Sequence, residues 1–269
     1  MLNSYDQGMY RSVVAKLGML SVTSRPDIAF EAKILAMNYG KAIKRDLKKA
    51  VKMLIKIKSE PTTMIYPDLG DMQSWVIVGF SDAAVFAMPD KVGSVGGQLL
   101  MICNTHTNNT CVLGWRSRQL KRVVHSSLAA EALALLELLG DIQYTRLILK
   151  QMYGKRSMGV PAITVTDSKN LFEAVHNLKV VDDRRLVGTI AEIKEGLFGD
   201  GLVQELRHLQ GEHMLADGLT KRGASSEDFM KILQTGKYTL PGGWKINPKS
   251  RELVKTWMDM NNPNITQTS

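Results

Sequence analysis

Four acidic residues stand where the surrounding sequence is apolar or strand-forming. Asp82 follows the run WVIVGFS, Glu131 lies in the first turns of the helical pattern SSLAAEALALLELLG, Asp167 closes ITVT, and Asp217 sits within LADGLTK. A carboxylate at the edge of a core is costly unless it is paired or bound to a metal, so four such intrusions ask for one shared counter-charge. Divalent cations supply it. Mg²⁺ favours hard oxygen ligands, keeps several waters and completes its shell with substrate phosphate oxygens. Two such ions about 4 Å apart clamp the attacking water and the leaving oxygen of an in-line phosphoryl displacement. The expectation is therefore a two-Mg²⁺ centre, with Mn²⁺ as the substitute ion. Two of the acids also have a plainer reading, Asp167 as a cap for a helix from Ser168 and Asp217 as a cap for its own helix.

The elements that must position these acids can be read from periodicity. WVIVGFSD, GGQLLMIC and CVLGW predict three strands in an antiparallel meander between Trp75 and about Trp115. A long helix follows, capped by Ser126 or Ser127 and ended by Gly154, with Leu128, Ala132, Leu135, Leu139 and Ile142 on one face. PAITVTD then reads as a fourth strand, SKNLFEAVHNL and DDRRLVGTIAEIKEGL as helices, LVQELRHL as a fifth strand, and EHMLADGLTK as the opening of a last helix. Residues after about Gly236 read as a poorly packed tail. The order of elements indicates an α/β layer fold with a mixed sheet. Upstream, the pattern from Tyr10 to about Lys58 is helical, with Ile43, Leu47, Ala50, Leu54 and Ile57 as an apolar stripe, and SEPTTMIYPDLGD breaks it.

Charge points to a polyanion. Among 269 residues, 35 Lys and Arg face 26 Asp and Glu, a formal net charge of +9. Lys44, Lys48 and Lys52 belong to a basic run that could follow a phosphate backbone, against the plain reading of a solvated helix face. Arg116, Arg118, Lys121 and Arg122 form a second group beside Trp115, itself more naturally a core residue, and Arg184 with Arg185 a third. Cys103, His106 and Cys111 in CNTHTNNTC lack a fourth zinc ligand, so a hairpin with two free thiols facing each other across the strands is expected. No apolar run approaches the roughly 20 residues that cross a bilayer, and the start lacks the features of a signal peptide, so cytosol or nucleus is expected, with no membrane partner.

The blocks GFSDAAV, WRSRQLKRVVHSSLAAEALAL, ITVTDSKNLFEAV and LRHLQGEHMLADGLTK occur in the order, and at about the separations, of the ribonuclease H domain of copia-type retrotransposon polyproteins. The upstream stretch from Tyr10 resembles the segment that joins the reverse transcriptase to that domain. The resemblance implies a ribonuclease H-like α/β fold: a mixed five-stranded sheet, three antiparallel strands then two parallel additions, flanked by helices. It implies a connection-like segment over 1–73, the nuclease domain over 74–223, and a C-terminal helix and tail over 224–269. Asp82, Glu131, Asp167 and Asp217 match the family's four metal-binding acids. The implied reaction is hydrolysis of the RNA strand of an RNA/DNA hybrid, the hybrid being held by shape and 2′-OH contacts. The rest of a polyprotein, including its reverse transcriptase, is the implied partner. His208 and His213 are secondary candidates for proton transfer or product release near the last acid. Ala84, Val85, Leu128 and Ala129 depart from the polar or aromatic residues of relatives, and no Tyr-x-Asp-Asp polymerase motif occurs. Two alternatives stand beside this reading: a nucleic-acid-binding remnant that no longer cuts, and another nuclease or strand-transfer enzyme on the same fold.

Overall fold

The computed structural model describes residues 2–87, 93–176, 183–199, 202–247 and 252. At its centre is a five-stranded sheet of β1 (Trp75–Ala84), β2 (Val95–Asn104), β3 (Thr110–Gln119), β4 (Ala162–Thr166) and β5 (Glu205–His208), in the order β3-β2-β1-β4-β5. β1, β2 and β3 pair antiparallel; β4 joins β1 in parallel and β5 joins β4 in parallel. This is the mixed sheet that the sequence predicts. β1 is central and covered on both faces, which is why its residues form an almost unbroken apolar run.

Helices cover the two faces differently. On one side, α4 (Ser127–Tyr153), α5 (Lys169–His176) and α6 (Arg184–Lys194) pack with Ile77, Leu100 and Ile102. Ser126 caps α4 by accepting a hydrogen bond from the Ala129 amide at 3.1 Å. Gly79 lets α4 approach β1 closely, because a Cβ there would lie 2.9 Å from both methyls of Leu138. On the other side, Val76, Val78, Phe80, Leu99 and Met101 pack against residues 214–219 and α7 (Glu227–Thr235).

The N-terminal helical pattern resolves into α1 (Ser4–Thr23), α2 (Ala29–Ala36) and α3 (Lys44–Ser59). Pro26 opens a short 3-10 turn between the first two. The three share a small core of Tyr10, Val14, Leu17, Ile28, Ala32, Leu35, Ala42 and Ala50. Of the predicted stripe on α3, Ala50 is fully buried and Leu47, Leu54 and Ile57 pack against that core, whereas Ile43 precedes the helix and is exposed. The segment docks on the sheet. The Trp115 indole donates to the Ser21 carbonyl at 2.6 Å, and Phe30 and Ile34 pack on Val95.

Several expectations need correction. EHMLADGLTK forms two 3-10 turns, Gly211–His213 and Asp217–Leu219, and α7 begins only at Glu227, because Gly223 at φ +75° redirects the chain between them. β5 keeps only four of the residues in LVQELRHL. Residues 237–247 are packed. Leu240 is buried, Trp244 and Ile246 lie against the core, and the Arg207 guanidinium donates to the carbonyls of Pro241, Gly243 and Lys245. Both cysteines are free, but the register pairs Cys103 with Thr110 and Cys111 with Ile102, so the thiols point to opposite faces rather than at each other. Residues 177–182, where the end of one predicted helix meets the start of the next, lie outside the described residues, as does the tail beyond 247 apart from 252.

Candidate metal centre

Three of the four acids meet at the same end of the sheet. Asp82 lies near the end of β1, Asp167 directly follows β4, the parallel neighbour of β1, and Asp217 opens the 3-10 turn after β5. One carboxylate oxygen from each lies within 4.8 Å of the others, and among the described residues this is the one such grouping of metal-binding side chains. Glu131 comes in from α4. Its side chain is buried, and its Oε2 has no hydrogen-bond partner. The other acids press on it electrostatically, Asp82 first and then Asp167, and an Ala83 backbone hydrogen bond gives it partial relief.

The plain capping explanations do not hold. The Ser168 hydroxyl, not Asp167, accepts from the Leu171 amide at the start of α5. Asp217 makes no side-chain cap; its carboxylate accepts from Lys221 Nζ at 2.7 Å. Each acid is thus released for another role.

Two neighbours were not foreseen. Thr220 is fully buried and its hydroxyl donates to Asp82 Oδ2, while Lys221 Nζ also reaches Asp82 Oδ1 at 3.4 Å. Both lie in the LADGLTK block, three and four residues after Asp217, a spacing that returns them to the same side of a helical turn. Gly97 permits their approach. It is the register partner of Asp82 on β2, and a Cβ there would lie 2.7 Å from Thr220 Cγ2, 2.9 Å from Leu219 Cβ and 3.2 Å from the Ala216 carbonyl.

The electrostatics follow from burial. Desolvation pushes the Asp82 carboxyl up to about 6, opposed by Lys221 and the Thr220 hydroxyl and reinforced by Asp217 and Asp167. Desolvation, with Asp82 and Asp167 nearby, pushes Glu131 up to about 9. Asp167 is raised as well, again chiefly by burial. Burial works against the Lys221 ammonium, but the carboxylates of Asp82, Asp217 and Asp167 prevail and hold its pKa above the ordinary range. The donor set is entirely hard oxygen, and the unpartnered Glu131 oxygen is a buried acceptor lacking a donor or cation, so the residues present suit a divalent metal.

The remaining predicted residues divide. His208 lies beside Asp167, its Nε2 3.1 Å from the Asp167 carbonyl oxygen, so it is placed to hold the backbone of that acid. The His213 side chain is half exposed and lies 3.6 Å from Glu212. Trp115 is core, edge-on to Phe229. Arg116 is engaged by Asp141, whereas Arg118, Lys121 and Arg122 are exposed. Arg122 and Arg185, read as separate basic groups, line one cavity of about 190 Å³ with His125 and Ser126 at the start of α4. Lys44, Lys48 and Lys52 are exposed on α3. An apolar cavity of about 530 Å³ between β3 and α4 contains none of the four acids.

No family model and no curated protein sequence matches the chain. Among solved structures it is similar to a ribonuclease H1 isolated from compost by a metagenomic approach, with a TM-score of 0.40 and 18% identity over 54% of this chain and 92% of that one. The same enzyme in complex with an RNA/DNA hybrid gives 0.39 and 19% over 54% and 93%. The N-terminal ribonuclease H domain of a Mycobacterium tuberculosis protein, solved as a maltose-binding-protein fusion, gives 0.38 and 15% over 60% and 96%.

Proposed function

We propose that the chain is a metal-dependent endonuclease that hydrolyses the RNA strand of RNA/DNA hybrids. One observation carries the reading: the carboxylates of Asp82, Asp167 and Asp217 come from three separate parts of the chain to within 4.8 Å, and Asp82 and Asp167 also act electrostatically on Glu131, whose Oε2 is buried and unpartnered. Asp82, Glu131, Asp167 and Asp217 would hold two Mg²⁺ ions, which supply an activated water and charge stabilisation at the leaving oxygen of an in-line displacement. Water adds to phosphorus as the opposite ester P–O bond breaks. Within the protein, the Thr220 hydroxyl orients Asp82, Lys221 holds Asp82 and Asp217 together, and His208 fixes the Asp167 backbone, so the acids are set in place before substrate arrives.

We read α1–α3 as the end of a reverse transcriptase and the whole as part of a copia-type retrotransposon polyprotein. The support is the sequence resemblance and the docking of that segment on β3. The test is incubation of the folded protein with hybrid labelled on the RNA strand, in Mg²⁺. RNA fragments support the reading, and an intact strand at high enzyme concentration rejects it. A second reading is favoured by Lys221, whose ammonium already bridges Asp82 and Asp217: a chain that grips hybrids without cutting. It predicts salt-sensitive binding with no metal-dependent turnover. Preference for DNA-only duplexes would instead indicate another nuclease or strand-transfer enzyme.

A further inference from the structure

A cleft of about 500 Å³ lies between the N-terminal helices and the turn that follows Asp217, and none of the four acids lines it. Thr220 and Lys221, which touch Asp82, line it together with Arg45 and Lys49 of α3 and with Glu31, Asp46 and Arg222. Glu31, Arg222 and Asp46 already have hydrogen-bond partners. Glu31 accepts from Arg222 at 2.6 Å, and Asp46 is buried and accepts from the Ile43 amide at 3.1 Å. Arg45 and Lys49 are different. Both are exposed, and neither has an ion-pair partner among the described residues. They stand four residues apart on one face of α3, whereas Lys44 and Lys48 lie a step further round the helix.

We propose that this cleft is a nucleic-acid subsite, in which Arg45 and Lys49 bind phosphates of the strand as it passes from the acids to the N-terminal segment. The proposal rests on the nuclease reading above and assigns α3 a substrate role separate from holding the fold. It also moves the phosphate contacts of this helix from Lys44 and Lys48 to Arg45 and Lys49. A cationic cleft whose lining includes Thr220 and Lys221, the residues that touch Asp82, can hold the backbone on one side of the scissile bond without reading its bases. The covalent chemistry stays at the acids, and the cleft contributes grip and register.

The test is binding of a fluorescent RNA/DNA hybrid to the full chain in EDTA, where no cleavage occurs, across a salt series. R45A/K49A should lower affinity by about 10-fold and flatten the log–log salt slope by about 2, one for each lost phosphate contact. R45K/K49R should restore both, which a merely structural loss would not allow. K44A/K48A removes the same charge from the neighbouring face and should change each much less. Equal losses from the two alanine pairs, or an unchanged slope in R45A/K49A with native circular dichroism, overturn the subsite. Cleavage by the wild type in Mg²⁺ is scored separately. A wild type that cuts while R45A/K49A binds normally removes the subsite and leaves the nuclease; a wild type that fails to cut removes the nuclease reading even if the slope falls.

Discussion

Asp82 is buried by the same packing that brings Asp167, Asp217 and Lys221 to it, and each of these neighbours sets a prediction at the level of single side chains. D82N and D167N each remove a charge from the proposed metal site while keeping shape, so turnover in Mg²⁺ should fall by roughly 100-fold or more with the circular dichroism spectrum unchanged. Normal cleavage by both variants would show that the ions are assigned to the wrong residues. A second prediction concerns pH. Burial pushes the Asp82 carboxyl up to about 6 and that of Glu131 up to about 9 in the native state, against ordinary values of about 4 in the unfolded chain. Over that interval the native state binds more protons than the unfolded one, so stability is greatest at the acid end and is lost as pH rises. Without metal, the melting temperature should therefore fall from pH 5 to pH 9, and added Mg²⁺ should recover part of the loss. E131Q removes the largest such contribution and should melt about 3 °C or more above wild type at pH 8 in EDTA. Equal melting temperatures would mean that Glu131 is not desolvated.

Close packing of elements makes the centre. G97A would push against Thr220 and the Ala216 carbonyl, and the turn carrying Asp217 would have to lift from β2. Overpacking of this kind costs about 1–3 kcal/mol, so the variant should show both a lower melting temperature and weaker metal binding by calorimetry. L240A tests the packed tail: truncating this buried leucine should cost about 2–5 kcal/mol in chemical denaturation, whereas a loose tail would lose almost nothing. The sequence announces elements that carry a strong period. β1, β2 and β4 read directly from their apolar runs, and α4 reads from its stripe and its Ser126 cap. It announces less where tertiary contacts decide. LADGLTK has helical spacing, yet Gly218 and Gly223 let it collapse into a single 3-10 turn over Gly97. The tail looks loose because its Pro and Gly residues break periodicity, and only the folded partner Arg207 shows what holds it. Cys103 and Cys111 look like cross-strand neighbours by distance along the chain, but the turn pairs Cys103 with Thr110, which puts Cys111 opposite Ile102 on the other face.

At the scale of the whole molecule, the positive charge is divided between surfaces that the fold brings near the acids and surfaces that it does not. Arg45 and Lys49 line the cleft shared with Thr220 and Lys221, and Arg122 and Arg185 converge near the start of α4, although they are distant in sequence. The convergence of Asp82, Asp167 and Asp217 was legible because each breaks an apolar run. Thr220, Lys221 and the cleft were not, because their roles depend on Gly97 and on how α2 and α3 dock. No helix among the described residues is long and apolar enough to cross a membrane. The most direct measurement is cleavage of a hybrid labelled separately on each strand, with wild type and D167N side by side in Mg²⁺ and in EDTA. The account predicts fragments of the RNA strand alone, from wild type alone and only with metal. An RNA strand left whole by folded wild type in Mg²⁺, or cut equally by D167N, would contradict it.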